Sequence, residues 1–285
     1  MKNTEKLLID ALTSLDGTIN PYRDSAMRAV SRAIATKKPL ELLLFTCSTI
    51  TANKLFSATP WEYVSLSPEG NNLTDDLPRL REILELLRTI YPIKLVVVIG
   101  NTDPYYIYLQ QFKSMPKEQQ RATYEKFVER WATYKVVFES WLRQRLPKHE
   151  LEVISWQVWE RQQEKKDSRS FEQEFNEVYA DYANYFAANE LDWEFRKLST
   201  QFAPNKYFSS LAKPTDDLLK DWIRRKFSEY AVQGRWLQRA WPNAVLLQNE
   251  KPTALRSTMY QPLLQRQGRA LPIIQPFGLD DEGYA

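Results

Sequence analysis

Two short runs of residues have side chains suited to chemistry, and each directly follows an apolar segment. The first is Thr46-Cys47-Ser48-Thr49, after "LELLLF"; the second is Gly100-Asn101-Thr102-Asp103-Pro104-Tyr105-Tyr106, closing "IKLVVVI". Hydroxyls at Thr46, Ser48 and Thr49 can orient a substrate carboxylate or phosphate, and Ser48 is a possible nucleophile. The same residue types also satisfy orphan backbone groups where a chain leaves a sheet, so both readings stay open. Cys47 has no cationic neighbour in sequence to lower its pKa and reads as a small apolar filler. In the second run, glycine permits close backbone approach. Asp103 can hold an amine or a ribose, or serve as a general base. An Asp-Pro turn opening the next helix is the plainer alternative there.

The expected site therefore has Ser48 and Asp103 in catalytic roles. Thr46, Thr49, Asn53, Asn101, Thr102 and Tyr105 stand beside them as substrate contacts. Glu250 and Lys251 follow another apolar run, "NAVLLQ", and are candidates for a polar pair lining the same crevice. His149, the single histidine, precedes a strand and so belongs at the opposite edge, as a solvated loop residue. One histidine and one cysteine cannot build a Cys/His zinc site within this chain, and no metal ligand set is expected. Neither G-x-G-x-x-G nor G-x-x-x-x-G-K-[ST] occurs, which argues against a dinucleotide fingerprint or a P-loop; no cofactor can be named.

The elements that must position these residues follow from periodicity. Helical spacing runs over residues 4–16 and 21–37, and strands are expected at Leu40–Phe45, Ile93–Gly100, Leu151–Ser155, Asn243–Gln248 and Ala270–Pro276. "LPRLREILELLRTIYP", preceded by Asp75 and Asp76, is an amphipathic helix between the first two strands, making a βαβ unit. Further helices are expected from Lys117 to Leu146, from Glu160 to Asp192, and from Asp216 onward with a possible break at Gly234. The whole reads as one Rossmann-like α/β domain over residues 1–285. It has a mostly parallel sheet of about five strands, helices on both faces, and a helical insertion around 157–215. Ligands of such sheets sit outside the carboxyl ends of the strands, where strand order reverses.

Composition narrows the classes. With 39 basic and 36 acidic residues the net charge is +3, too weak to argue nucleic-acid binding by itself. The two long helices carry Arg121, Lys126, Arg130, Lys135, Arg143, Arg145, Lys148, Lys220, Arg224, Arg225 and Lys226, interleaved with Trp131, Trp141, Trp222 and Trp236. Glutamates interspersed among the cations favour ordinary solvated helices, and the tryptophans favour core packing. No apolar window is long enough to span a bilayer, no secretory signal is evident, and a lone cysteine suits a reducing cytoplasm.

In layout the chain resembles the isocyanide (isonitrile) synthases. The segments that carry the likeness are "KKPLELLLFTCSTI", "DDLPRLREILELLRTIYPIKLVVVIGNTD" and "RKFSEYAVQGRWLQRAWPNAVLLQNEKP". That resemblance implies a Rossmann-like biosynthetic enzyme of specialised metabolism acting on an amino acid or a derivative of one. A second resemblance, to the cyclodipeptide synthases, sets Ser48 at their serine after the first strand and Tyr230 at the tyrosine of their later helix. It implies transfer from aminoacyl-tRNA; Gly234 stands where their glutamate is expected. A small-molecule substrate is the favoured partner and tRNA the second. A non-catalytic interaction protein remains a third class, and oligomeric state is not legible.

Overall fold

A computed structural model describes residues 2–14, 23–46, 59–71, 73–100, 115–164, 166, 170–182, 195–196, 215–247 and 273–274. Strands β1 (Leu40–Thr46), β2 (Ile93–Ile99), β3 (Glu150–Ser155), β4 (Val245–Leu247) and the two-residue β5 (Ile273–Ile274) form one sheet in the order β3-β2-β1-β4-β5. Every pairing is parallel, with Leu40 opposite Ile93, Lys94 opposite Glu150, and Leu42 opposite Val245. The Rossmann-like expectation holds. Four strands carry the sheet, and of the expected fifth the described residues Ile273–Ile274 pair at its edge.

Strands β1 to β4 bury both faces, and period-two alternation sorts their residues into two cores. Leu42, Leu44, Leu95, Val97, Val153 and Val245 meet helices α1 (Lys2–Ser14), α2 (Arg23–Thr36), α3 (Leu73–Ile90) and α4 (Lys117–Arg145). Leu43, Val96, Val98, Ile154 and Leu246 meet α5 (Trp156–Glu164), α6 (Phe171–Ala180) and α7 (Asp216–Ala240). The connections from β1 to β2 and β2 to β3 thus lie on one face, and that from β3 to β4 on the other. The reversal of direction falls between β1 and β4. That is the doubly wound switch point beside which ligands bind.

Two helix boundaries differ from the periodic reading. The stretch expected as one helix from Glu160 to Asp192 is split. α5 closes at Glu164, and Ser170 opens α6 with a reciprocal capping box: its Oγ accepts from Gln173 N–H at 3.1 Å, while its own N–H donates to Gln173 Oε1 at 3.2 Å. α7 by contrast runs unbroken through Gly234. A mid-helix glycine costs about 1 kcal/mol. Burial of Ile223, Val232, Trp236 and Leu237 outweighs it, at about 1.5–3 kcal/mol for each large apolar side chain.

The polar partner that locks α6 to α7 is Glu174, only 1% exposed. Its carboxylate accepts from Trp236 Nε1 at 3.2 Å and Arg239 Nη2 at 2.7 Å, with Arg235 Nη1 at 3.8 Å. Around it Phe171, Trp156, Trp159, Trp236 and Trp241 stack and edge against one another.

Gly100 closes β2, and its N–H donates to Thr46 O at 3.1 Å. A Cβ there would lie 3.0 Å from Trp156 Cβ and 3.3 Å from Phe45 Cζ. The close approach anticipated from the glycine is therefore made by the protein's own first turn of α5. Gly100→Ala is expected to destabilise the fold by about 1–3 kcal/mol, as overpacking does. Thermal unfolding would show this as a Tm lowered by several degrees; an unchanged Tm would contradict the packing.

Candidate functional site

The carboxyl end of the sheet is assembled from strand ends in register. Thr46 of β1 lies opposite Ile99 of β2, and Ile99 opposite Ser155 of β3. The Thr46 side chain is buried, and its Oγ1 donates to Asn71 Oδ1 at 2.7 Å. Asn71 Oδ1 also accepts from Leu73 N–H at 2.9 Å, at the start of α3, and its Nδ2 donates to Tyr134 Oη on α4 at 3.1 Å. Through Asn71, which supplies the acceptor at the start of α3, Thr46 thus ties the end of β1 to two helices of the first core.

Ser48, Thr49, Asn53, Asn101, Thr102, Asp103, Tyr105, Glu250 and Lys251 lie outside the described residues, and of Tyr230 only its place within α7 is described. What is described is where their segments depart. Ser48 follows the end of β1 by two residues, Asp103 follows Gly100 by three, and Glu250 follows the end of β4 by three. β1 pairs with both β2 and β4, so the three segments leave adjacent strands. His149 sits in the turn entering β3, at the opposite edge. Burial, together with Arg88, holds its imidazole below the usual range.

Beside the carboxyl ends of β2 and β3 the structure gathers a second set of polar groups that sequence reasoning left inside a "helical insertion" or on a long helix. α5 begins immediately after Ser155, and its residues Trp156, Trp159 and Glu160 share one face by i, i+3, i+4 spacing. On α7 the stripe Glu229, Val232, Gln233, Trp236 has the same spacing. The tryptophans of the two stripes meet, with Trp159 and Trp236 ring centroids 6.2 Å apart. Glu160 and Glu229 are close enough to repel. Burial, then the Glu229 and Glu164 charges, pushes the Glu160 carboxyl well above the ordinary carboxylate range.

One turn beyond Glu229, Gln233 is fully buried, and neither Oε1 nor Nε2 has a hydrogen-bond partner. Gln157 Oε1, 3.8 Å from the position a Gly100 Cβ would take, and Ser155 Oγ are likewise buried without partners. The signal that could have found this set is a glutamine at a core-facing position of an otherwise apolar stripe. Asp76, in the first turn of α3, is a further perturbed carboxyl, pushed up to about 6 by burial and by its neighbour Asp75.

Several basic residues of the long helices are engaged within the chain. Lys126 pairs with Glu129, Lys135 and Arg143 with Glu139, and Arg225 with Asp221. Arg145 covers Trp141, and Arg224 lies 3.9 Å from the Tyr179 ring centroid while donating to Tyr179 O. Trp131, Trp141 and Trp236 are buried in the two cores. Among the described residues no group of His, Cys, Asp and Glu is gathered to hold a metal ion, and no helix is long and apolar enough to cross a membrane.

A carboxyl raised in the folded state favours the fold while it keeps its proton, and that contribution is lost as pH rises from the ordinary carboxyl range through the raised value. Glu160→Gln removes this dependence. The Tm of the variant minus that of the wild type is expected to be larger at pH 8 than at pH 5, measured by calorimetry. A difference that is flat or falls with pH would refute the strained carboxyl.

No protein-family model matches the chain, and no curated protein matches it. Solved structures similar to it include a CDPS from Fluoribacter dumoffii, 10% identical with a TM-score of 0.47, covering 83% of this chain and 89% of that one. They also include the PvcA protein from Pseudomonas aeruginosa, 11% identical with a TM-score of 0.47, covering 88% of this chain and 81% of that one. At this level the likeness is one of layout around the sheet, and no activity is carried over from it.

Proposed function

We propose that this chain is a biosynthetic enzyme of specialised metabolism acting on an amino acid or amino-acid derivative, in the manner of the isocyanide synthases it resembles in sequence layout. One observation carries the reading: Glu160 and Glu229 repel each other on facing helices beside the strand carboxyl ends, with Gln233 buried and unpartnered one turn away. A buried polar atom without a partner costs about 1–3 kcal/mol. Such groups persist where a ligand completes them, and perturbed carboxyls in the same place mark proton-transfer sites.

In this reading Glu160 is the general acid and Glu229 the charge that keeps its proton in place. Asp103 and Ser48, on segments leaving the paired strands β2 and β1, hold the substrate's amine and orient its polar end. Glu250 and Lys251, following β4, border the same crevice. The observations weigh against aminoacyl-tRNA as the donor. α4 and α7, the two basic helices, cover opposite faces of the sheet, and cations such as Arg143 and Arg225 pair with carboxylates of their own helix.

The test is mass spectrometry of metabolites in a host expressing the wild type, Asp103→Asn or Glu160→Gln. A product that accumulates with the wild type should fall by about 100-fold or more in each variant, the scale of a lost general acid or base. Identical profiles for wild type and variants would sink the assignment. Activity in extract should survive nuclease treatment; loss of activity together with steeply salt-dependent binding of charged tRNA would instead establish the transferase reading.

A further inference from the structure

We infer that Gln233 reads a planar amide edge of the ligand, one N–H donor beside one carbonyl acceptor, a deepening that rests on the site proposed above but not on its reaction. The side chain is 0% exposed, and both ends of its carboxamide are buried without a partner. A carboxamide places one acceptor and two donors in a plane, and its natural complement is another amide, which closes two parallel hydrogen bonds. The pairing works whichever way the Gln233 amide is flipped, because the ligand's edge carries the same two functions.

Other ligand groups fit less well. A carboxylate would use Nε2 alone, leave Oε1 unpaired, and face Glu229 one turn away. An ammonium would use Oε1 alone and leave Nε2 unpaired.

The test uses 2-pyrrolidinone, the smallest rigid probe with N–H and C=O on one edge, titrated into the full chain and followed by NMR of side-chain amides. Saturable binding in the millimolar range is expected. It should weaken at least tenfold for N-methyl-2-pyrrolidinone, which lacks the donor, and for acetate and pyrrolidine. Gln233→Leu and Gln233→Met should each weaken pyrrolidinone binding at least tenfold while leaving Tm unchanged or raised, because an apolar replacement removes two unpaired polar atoms. Equal binding by the N-methyl analogue, binding unaffected by both variants, or a lowered Tm in both overturns the inference. Absence of saturable pyrrolidinone binding, in a protein whose metabolite product still depends on Glu160, overturns the amide edge and leaves the enzyme reading standing.

Discussion

Everything described here depends on a sheet that must be covered on both faces. β2 is apolar on successive residues from Leu95 to Ile99, and β1 is nearly so. In parallel pairing such strands expose apolar side chains alternately up and down, so neither face can meet water. One core is closed by α1 to α4 and the other by α5 to α7. A chain that covers one face with its first half and the other with its second must reverse direction somewhere in the sheet. That reversal leaves a crevice at the carboxyl ends of the strands.

The second core shows how differently buried polar groups can be handled. Glu174 is as buried as any leucine near it, yet two arginines and an indole N–H of α7 attend it. It is a joint between helices, of the kind a buried charge can make when it is paired. Gln233, on α7, is equally buried and among the described residues has no partner at either end, while burial and the charge of Glu229 push the Glu160 carboxyl up. Groups left unsatisfied in otherwise well-packed surroundings are where function is expected to override stability.

Legibility differed by element, for physical reasons. "IKLVVVI" was readable as a buried parallel strand because a continuous apolar run needs no partner to be recognised. The βαβ unit was readable from the helix between two such runs. The break between α5 and α6 was less so. The Ser170–Gln173 capping box is local, but the stretch from Glu160 to Ser170 is uniformly polar and holds no glycine or proline to mark the stop. Gly234 invited a break that tertiary burial of the α7 stripe cancels. At the site, Thr46 was legible as a polar residue at a strand end. Its tie to Asn71 and Tyr134 was not, because those partners come from α3's start and from α4.

By itself the sequence determined the class of fold, the two central strands, the segments that leave their carboxyl ends, and the absence of a glycine-rich phosphate loop. These are properties of residue type and short-range period. Tertiary structure decided the strand order, the separation of the basic helices onto opposite faces, the approach of Glu160 to Glu229, and the burial of Gln233. Those residues stand far apart in the chain. The charge repulsion and missing partners that single them out exist only once two helices have been packed onto one face of the sheet.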